Sequence, residues 1–484
     1  MATRLDSIRE ERVKKLEELK KLHINPYPSK ISLKGKHIEI DEARKKEGSK
    51  VMVAGRIMGM RGHGAILFGD VRDETGTIQF LASEKNLSEK YPILKLIDAG
   101  DFLAVVGKIM KTQAGEITVE VNDFQLLSKS IRPLPSEWFG LKDEEDRYRQ
   151  RYVDLILNEN LKEIFRKKAI FWQSMRNFMI DKGFLEVETP ALENTAGGAD
   201  ANPFVTHHQA LDIDLYLRIS MGELWQKRLM VAGFDKTFEV GRQFRNEGID
   251  REHLQDYSQM EFYWAYHNYE DSMKLVEELY KYIAEKAFGT LKFEINGHKV
   301  DLGKFWKRID YTESIKSKFN IDINSASDED LRNRLKELRV AFEKNDERGR
   351  LIDLIWKQVR KEISGPVFLV GHPVEVSPLA KRMEDRNNFV ERYQIILAGS
   401  EMGNGYSELN DPIDQAERFA KQQEMRDKGD EEAQMQDADF VRALEYGMPP
   451  VTGFGVSERL FSFLANLPVR EAVLFPLLRP ENIK

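Results

Sequence analysis

The sequence contains no cysteine, and this absence removes several classes of chemistry. Disulfide bridges, thiolate zinc sites and cysteine nucleophiles are excluded, so a bound metal must take oxygen or imidazole ligands. The sequence also lacks a stretch of about eighteen uncharged residues, and residues 1–22 are charged throughout, without the apolar core of a signal peptide. We therefore expect a cytoplasmic protein with no membrane segment and no zinc.

Positive charge is not in excess either. Lys and Arg number 74 against 81 Asp and Glu, a formal net charge of −7, so the chain as a whole does not attract phosphate backbones. Any contact with nucleic acid must come from local patches. The 484 residues, of which 41% are hydrophobic and 10% aromatic, are enough for one large catalytic or ligand-binding unit and a smaller module.

Residues 4–22 carry apolar side chains at helical spacing, including Leu5, Ile8, Leu16 and Leu19, with lysines and arginines on the other face. This pattern predicts one amphipathic helix that ends before Pro26. A charged helical face is usually solvated surface. Docking of the helix on its own domain is therefore the first interpretation, and contact with phosphates is the second.

Between residues 51 and 127 the pattern changes to short alternating segments separated by glycine turns. Five strands are predicted, at residues 51–57, 65–71, 77–81, 102–109 and 117–121. The OB-fold is the common five-stranded barrel of this size, and it typically binds single-stranded nucleic acid by stacking bases on aromatic side chains. Arg61, Phe68 and Gln79 lie where such a face would be, although each alone is more often barrel packing or surface.

The proline-rich segment 131–135 predicts a stiff linker. After it, helical patterns at 161–182, 270–288 and 328–362 are separated irregularly by β-rich segments. Those segments are residues 204–208, 215–219, 236–240, 260–266, 367–370 and 393–397. Without a regular strand–helix alternation, this order favours an α+β domain on an antiparallel sheet over a doubly wound one.

Two short patterns carry little chemical information. Gly453-Phe454-Gly455 lacks the third glycine of a dinucleotide-binding loop, and the adjacent His207 and His208 would point to opposite faces of a strand. Three longer segments are more informative because they combine glycines, arginines and carboxylates around predicted strands. They are residues 183–190, 238–248 with a return at 260–263, and 453–459.

These three segments resemble motifs one, two and three of the class II aminoacyl-tRNA synthetases, in order and at family-like spacing. Residues 147–155, 375–381 and 404–412 resemble further segments of the lysine-specific members that carry an amino-terminal OB-fold. The resemblance covers nearly the whole chain and implies an α+β fold, with a five-stranded OB-fold barrel followed by a class II antiparallel-sheet catalytic domain.

The resemblance also implies a domain plan and an oligomeric state. A basic amphipathic helix and lead-in would occupy residues 1–48, the anticodon-binding OB-fold 49–130, and a linker and dimer-interface segment 131–155. The catalytic domain would occupy 156–484, with a helical insertion around 290–362. By the same resemblance we expect a homodimer.

The implied reaction joins L-lysine to ATP, giving lysyl-adenylate and pyrophosphate, and then passes lysine to the 3′ end of tRNA(Lys). The attacking carboxylate is already an anion, so positioning and charge neutralisation replace a general base. The resemblance implies Arg245 and Arg459 as the catalytic residues. It implies an ATP-binding set of Arg245, Glu247, His253, Tyr257, Glu401 and Arg459.

The implied cofactor is Mg²⁺, which prefers oxygen ligands and would bind beside the phosphates of ATP. Glu401 matches the family's metal-binding carboxylate. Gln394 stands where a second metal-binding Glu is usual, so an amide would replace one carboxylate ligand at that position.

Selection of lysine demands buried negative charge, because a desolvated ammonium needs carboxylate partners. Glu261, Tyr263 and Glu408 match the positions around the side-chain ammonium, and Gly198 and Glu223 match those near the α-amino group. The full implied lysine-binding set is Gly198, Glu223, Arg245, Glu261, Tyr263, Asn404 and Glu408.

On the barrel, Arg61, Phe68, Gln79 and Glu116 match the family's contacts to the anticodon bases of tRNA. With this resemblance the amino-terminal basic helix becomes a candidate clamp for the tRNA backbone, which would give salt-dependent affinity despite the net negative charge.

The chain departs from the family pattern at three further places, one of which is the divergent motif-two loop, residues 251–257. Residues 220–223 are one residue longer than the common form, and motif three has Ser457 and Glu458 where a glycine and an Asp are more usual. The alternatives are the related aspartate and asparagine ligases, which would need a cationic pocket, a protein-lysylating paralogue, which would lack the barrel, and a catalytically inactive RNA-binding paralogue. Retention of Arg245, Glu401 and Arg459 favours an enzyme.

Overall fold

The computed structural model describes residues 4–135, 141, 143–199, 201–248, 252–343, 346–428 and 433–481. They belong to two compact units, Met1–Arg147 and Tyr148–Lys484. Part of the predicted linker, residues 136–140 and 142, and Arg251 of the motif-two loop lie outside the described residues.

The first unit contains the predicted five-stranded barrel. Its strands are β1 (Lys50–His63), β2 (Ile66–Arg72), β3 (Thr77–Ser83), β4 (Phe102–Lys111) and β5 (Ile117–Ser128). They close in the order β1-β2-β3-β5-β4, with β4 paired back to β1 and only β3 and β5 parallel. Alternate side chains point into the barrel, where Val53, Ile57, Leu103, Val105 and Val119 are fully buried. The prediction of a closed five-stranded barrel is confirmed.

Three helices lie wholly within the described part of this unit: α1 (Arg4–Lys21), α2 (Ile40–Arg44) and α3 (Glu84–Leu87), the last followed by a 3₁₀ turn at Ser88–Leu96. The predicted amphipathic helix is α1, and its Leu19 is completely buried. Arg12 donates to the carbonyls of Ala99, Ser130 and Arg132, and Lys15 lies 2.6 Å from Asp98. Two cations of α1 therefore fix the helix to its own unit.

The second unit is built on a central eight-stranded sheet. Its strands are β6 (Leu185–Glu186), β10 (Lys236–Phe244), β11 (Asp256–Ala265), β14 (Lys307–Asp310), β15 (Val367–Pro373), β16 (Phe389–Leu397), β17 (Ser400–Ser407) and β18 (Val451–Ser457), in the order β14-β15-β16-β17-β18-β11-β10-β6. The inner pairs are antiparallel, and only the outermost pairs, β14 with β15 and β10 with β6, are parallel. The predicted α+β class is confirmed, with an antiparallel sheet whose edges are parallel.

Two small sheets accompany it, β7 (Leu192–Glu193) with β9 (Ile213–Leu217) and β8 (Val205–His208), and β12 (Lys292–Ile295) with β13 (His298–Asp301). The helices are α4 (Glu144–Arg149), α5 (Arg151–Leu157), α6 (Glu159–Asp181), α7 (Glu223–Val231), α8 (Tyr269–Phe288), α9 (Tyr311–Phe319), α10 (Asp328–Glu337), α11 (Arg348–Arg360), α12 (Pro412–Asp427), α13 (Ala438–Glu445) and α14 (Arg459–Leu464).

Helix α8 shows why these segments are helical. Its side-chain cap, Asn268, accepts from the amides of Glu270 and Asp271, and Gly289 ends the helix with φ +68°. Its apolar stripe, with Val276 and Leu279 fully buried, packs against α6 and the sheet in the largest core cluster. None of the described helices is both long and apolar enough to cross a membrane.

The helical stretch predicted over 328–362 is helical at both ends but interrupted in the middle. Two helices, α10 and α11, occupy it, because the chain leaves α10 after Leu338 and Arg339 adopts a left-handed conformation with φ +55°. A charged, leucine-containing pattern continues across this break, so helical periodicity alone does not reveal it.

Candidate active site

A cleft of about 1910 Å³ lies over the middle of the central sheet. Strands β11, β17 and β18 form its floor, and α11 and the loop after β10 contribute walls. Every residue predicted for ATP, lysine or magnesium lines it, although those residues are spread over 262 positions of the sequence from Gly198 to Arg459. The fold therefore brings the predicted site residues together in one place. Their individual roles stay predictions.

Strand register explains the acidic end of the cleft. Glu261 and Tyr263 are two residues apart on β11 and so point to the same face. Opposite them on β18 stand Gly455 and Gly453, which leave the space above the floor open. A Cβ on Gly453 would lie 2.3 Å from Oε1 of Glu408 and 2.7 Å from the ring of Tyr263. Glycine is required there because any side chain would displace the acidic group.

Three carboxyl groups, Glu223, Glu261 and Glu408, are buried at this end, with exposures of 5%, 5% and 1%. Glu261 accepts hydrogen bonds from the Met221 amide at 3.0 Å, the Tyr263 hydroxyl at 3.0 Å and Gln259 Nε2 at 2.6 Å. Burial, and then the charge of Glu223, raise the pKa of Glu261 to about 7. Burial also raises the pKa of Glu408 well above its ordinary value. Such a cluster is poised to take up cations.

One lysine, which the sequence analysis did not identify, lies beneath this cluster. Lys227 on α7 is 0% exposed, and its Nζ is 2.7 Å from Glu223 Oε1 and 2.5 Å from Glu408 Oε2. Burial lowers the pKa of Lys227, but the charges of Glu223 and Glu408 outweigh it and raise the pKa above the ordinary value. The only sequence signal was the four-residue spacing from Glu223, which usually marks a solvated surface pair.

Glu223 itself sits at the start of α7, after the segment predicted to be one residue longer than the family form. Gly222 caps the helix in a left-handed conformation, with φ +66°. A Cβ on Gly222 would lie 2.0 Å from Thr189 Oγ1, so the chain can turn this tightly only with glycine. The turn leaves the Glu223 side chain buried, where its Oε1 accepts from the Tyr406 hydroxyl.

Arg245 is held at the mouth of the acidic region. Its amide donates to the carbonyl of Gln255 at 2.9 Å, and its Nε donates to the carbonyl of Ile219 at 3.2 Å. Its guanidinium lies 5.9 Å from the ring centre of Tyr257. Burial raises the pKa of Tyr257, whose hydroxyl accepts from Gln243 Nε2 at 2.5 Å. The anchored Nε fixes the direction of the remaining donors.

Arg459 lies at the far end of the cleft, at the start of α14. It forms an ion pair with Glu252 of the motif-two loop. The preceding Glu458 is 2% exposed and accepts from Lys168 of α6 at 2.5 Å. The unusual Glu in motif three thus has a partner in the interior, and Ser457 accepts from the Arg459 amide at 3.3 Å.

The candidate metal ligands form a chain of contacts. Glu401 Oε1 is 2.7 Å from Arg360 on α11, and its Oε2 accepts from Gln394 Nε2 at 2.9 Å. The side-chain amide oxygen of Gln394, Oε1, lies 3.1 Å from His372 Nε2. Burial and the charge of Arg392 lower the pKa of His372 to about 3, so its ring is neutral. Gln394 therefore presents an amide nitrogen, not an oxygen, toward Glu401.

Within the described part of the chain, no group of three or more acidic or histidine side chains could hold a metal by itself. His207, on β8, faces Asp214 at 2.9 Å instead. A single carboxylate with an exposed edge, such as Glu401, fits Mg²⁺ only in the mode in which substrate phosphates and water supply the remaining oxygens.

The predicted nucleic-acid face of the barrel also comes together. Arg61 lies opposite Phe68 across β1 and β2, with its guanidinium 5.8 Å from the ring centre, and 3.7 Å from Asp70. Gln79 lies opposite Asp70 on β3 and accepts from Thr118 at 3.0 Å. Burial raises the pKa of Asp70 above its ordinary value. The charge of Arg61 lowers this pKa in part, and that of Glu116 adds to the rise. Glu116 precedes β5 and is exposed. These side chains form one aromatic and polar face.

Comparison with known proteins finds a matching family for a large part of each unit. Residues 143–479 match the family described as class II tRNA synthetases (D, K and N), and residues 51–127 match the OB-fold nucleic acid binding domain. A lysine–tRNA ligase of Fervidobacterium nodosum is 44% identical over 490 residues, covering 99% of this chain and 95% of the relative. Those of Carboxydothermus hydrogenoformans and Thermotoga maritima are 44% and 42% identical, covering 97% and 99% of this chain and 98% and 97% of the relatives.

Proposed function

Because the chain belongs to the class II tRNA synthetases of the aspartate, lysine and asparagine group, we infer that it is an ATP-dependent ligase that joins L-lysine to tRNA(Lys). Lysine is first activated to lysyl-adenylate with release of pyrophosphate, and is then transferred to the 3′ end of the tRNA. The observation that carries the choice of lysine is the buried cluster of Glu223, Glu261 and Glu408 at the end of the cleft.

We propose that Arg245 binds the lysine carboxylate and the α-phosphate together. The two groups are anions that repel each other, and a guanidinium aimed at both lowers the cost of bringing them in line. Arg245 suits this task because its Nε is already bound to Ile219, which leaves the terminal nitrogens for the substrates. Tyr257 and His253 line the cleft beside it and would hold the adenine.

Arg459 would bind the terminal phosphates at the other end of the cleft. In the free enzyme the partner of Arg459 is Glu252, so a phosphate of ATP would take the place of the Glu252 carboxylate. The bound nucleotide would thus lie between Arg245 and Arg459. Glu401 would hold Mg²⁺ beside the phosphates in exchange for its contact with Arg360, and the ion would neutralise charge on the transferred and departing phosphates.

The acidic end of the cleft favours lysine over the other substrates of the family. Glu261 and Glu408 would bind the side-chain ammonium, with Tyr263 alongside, while Glu223 would bind the α-amino group. An aspartate side chain would add another buried anion, and an asparagine side chain would bring no ammonium to pair with Glu261 and Glu408. Unpaired buried charges of this kind cost several kcal/mol, which supplies discrimination of a thousandfold or more.

The experiment that tests this function is ATP–pyrophosphate exchange with each of the twenty amino acids. Exchange should occur with lysine and stay near background with aspartate and asparagine. Exchange with aspartate or asparagine would assign the chain to the related ligases. No exchange with any amino acid would favour the inactive RNA-binding alternative.

We propose that the barrel reads the anticodon through the face formed by Arg61, Phe68, Gln79 and Glu116. Phe68 offers a ring on which a base can stack, and the neighbouring polar groups reach base edges. Basic side chains of α1 that remain exposed, Arg9, Lys14, Lys20 and Lys21, are free of the barrel contacts made by Arg12 and would add salt-dependent attraction to the tRNA backbone.

Replacement of Phe68 by Ala tests this face. Charging of tRNA(Lys) is expected to fall at least tenfold, because stacking on one aromatic ring contributes about 1–3 kcal/mol, while lysine-dependent pyrophosphate exchange stays unchanged. Phe102→Ala is the matched control. Phe102 is an exposed phenylalanine of the same barrel with Arg56 4.2 Å from its ring centre, and it lies on β4, outside the proposed face. Equal losses in the two variants would contradict the assignment.

We also propose that the enzyme is a homodimer. Large apolar side chains of the second unit are exposed on α6 and the strands after it, namely Ile170 (45%), Ile180 (53%), Leu185 (51%), Leu192 (47%) and Val205 (60%). Such side chains favour burial against a second copy. Light scattering should give twice the mass of the 56.2 kDa chain, and a monomer at micromolar concentration would contradict the proposal.

A further inference from the structure

Lys227 lies next to the cleft and has no role in the proposed reaction. It is completely buried and does not line the cleft; it lies behind the carboxylates that do. Its ammonium contacts two of them at once, Glu223 at 2.7 Å and Glu408 at 2.5 Å. A fully desolvated ammonium is costly to keep, so its position calls for an explanation beyond a surface ion pair.

Titratable groups from three elements interact with this ammonium or with its two carboxylate partners. Helix α7 contributes Glu223, strand β17 and the residue after it contribute Tyr406 and Glu408, and β11 contributes Glu261 and Tyr263. The ring centres of Tyr406 and of Phe440 on α13 lie 5.5 Å and 6.0 Å from Lys227 Nζ. Among the described residues, these interacting groups include three carboxyl groups, two tyrosines and the ammonium itself.

A count of charges gives the lysine residue a role. The pocket holds three carboxylates, and the substrate brings a fourth. Bound lysine supplies two ammonium groups, Arg245 supplies one cation at the substrate carboxylate, and Lys227 supplies the last. With Lys227 the four anions meet four cations, and without it one buried carboxylate is left in excess.

We propose that Lys227 is a specificity-determining positioning residue, an internal ammonium that favours the ionised forms of Glu223 and Glu408 and fixes their direction, so that the pocket accepts a substrate with two further ammonium groups. This inference rests on the proposed function, since it assigns a role within the lysine site. Lys227 acts through Glu223 and Glu408 and does not itself touch the substrate.

The geometry supports separate tasks for the two carboxylates. Lys227 binds Oε2 of Glu408, and the other oxygen, Oε1, lies beside Gly453, which lines the cleft. Glu223 is held at Oε1 by both Lys227 and the Tyr406 hydroxyl. Each carboxylate is thus fixed from behind before a substrate arrives, which lowers the cost of ordering it on binding.

Loss of the Lys227 charge should change the pH dependence of lysine binding in one direction. Without Lys227, the neighbouring carboxyl groups hold protons to higher pH, because a nearby cation favours their ionised form. A protonated carboxyl cannot pair with the lysine ammonium. Binding of lysine should therefore weaken at neutral pH and recover as the pH rises, whereas a purely structural role would change stability and leave the pH profile in place.

The test uses the full-length enzyme and lysine-dependent pyrophosphate exchange between pH 6 and pH 8.5. In Lys227→Met we expect the KM for lysine at pH 7 to rise at least tenfold and to fall again toward pH 8.5, with kcat and the KM for ATP within threefold of the parent. Lys227→Arg, which keeps the charge, should restore most of the affinity and the parent's pH profile.

Lys129→Met is the matched control. Lys129 is also a completely buried ammonium between two carboxylates, Asp98 at 2.6 Å and Asp101 at 2.8 Å, but it lies in the barrel unit. Its loss should lower thermal stability without changing the KM for lysine. If Lys227→Met does not fold, Lys227→Gln takes its place, since an amide can donate to both carboxylates without the charge.

The outcomes separate two failures. No lysine-dependent exchange in the parent enzyme overturns the proposed function. Exchange in the parent together with an unchanged KM and pH profile in Lys227→Met or Lys227→Gln overturns the role of Lys227 and leaves the function standing.

Discussion

Replacement of Arg245 by Lys is expected to lower lysine-dependent pyrophosphate exchange by about two to three orders of magnitude, mainly in kcat. Two features of the arginine are lost together. Its Nε is bound to the Ile219 carbonyl at 3.2 Å, which fixes the direction of the terminal nitrogens, and the guanidinium has a planar shape with two further donor nitrogens. A lysine ammonium keeps the charge but has no planar fork with which to bridge the carboxylate and the α-phosphate.

The matched control for Arg245 is Arg242→Lys. Arg242 lies on the same strand, β10, but its guanidinium pairs with Asp256 at 2.6 Å and does not line the cleft. Exchange should stay within about twofold in that variant, because an exposed ion pair contributes little. A loss in Arg245→Lys smaller than tenfold, or an equal loss in the two variants, would show that Arg245 does not bridge the reacting groups.

Much of the architecture follows from patterns that are local in the sequence. The barrel strands alternate strictly enough to be predicted, and α8 carries an apolar stripe with a side-chain cap at Asn268 and a glycine end at Gly289. Strand β17, by contrast, was not predicted, because Gly403 and Gly405 interrupt its pattern. A Cβ on Gly405 would lie 2.7 Å from the Tyr393 ring, so the residues that weaken the strand signal are demanded by packing.

The family resemblance identifies the candidate site residues, but the sequence does not reveal ion pairs between residues that are far apart in the chain. Lys227 and Glu223 are four apart, yet the contact of Lys227 with Glu408 spans 181 positions and is set by the packing of α7 against the sheet. The pairing of Glu458 with Lys168 is similar: it joins positions 290 apart and turns an unusual motif residue into an interior contact. Periodicity and spacing carry no information on such pairs.

Glu408→Gln is expected to raise the KM for lysine about a hundredfold or more at pH 7, with little change in the KM for ATP. Glu408 is 1% exposed, and its carboxylate is the partner of Lys227 on one side and the proposed partner of the substrate ammonium on the other. An amide keeps the shape and removes the charge, and loss of one partner of a buried charge pair costs about 2–5 kcal/mol, where each 1.4 kcal/mol is a factor of ten.

Folding of the variant should be preserved, because Lys227 keeps Glu223 at 2.7 Å as a second partner. Glu193→Gln is the control: Glu193 is 6% exposed, its pKa is raised to about 7 chiefly by burial, and its carboxylate accepts from Trp225 outside the cleft. If burial of a carboxyl were all that mattered, the two variants would behave alike in exchange assays. A KM for lysine in Glu408→Gln within threefold of the parent value would mean that the substrate ammonium binds elsewhere. The acidic cluster would then not be the group that selects lysine.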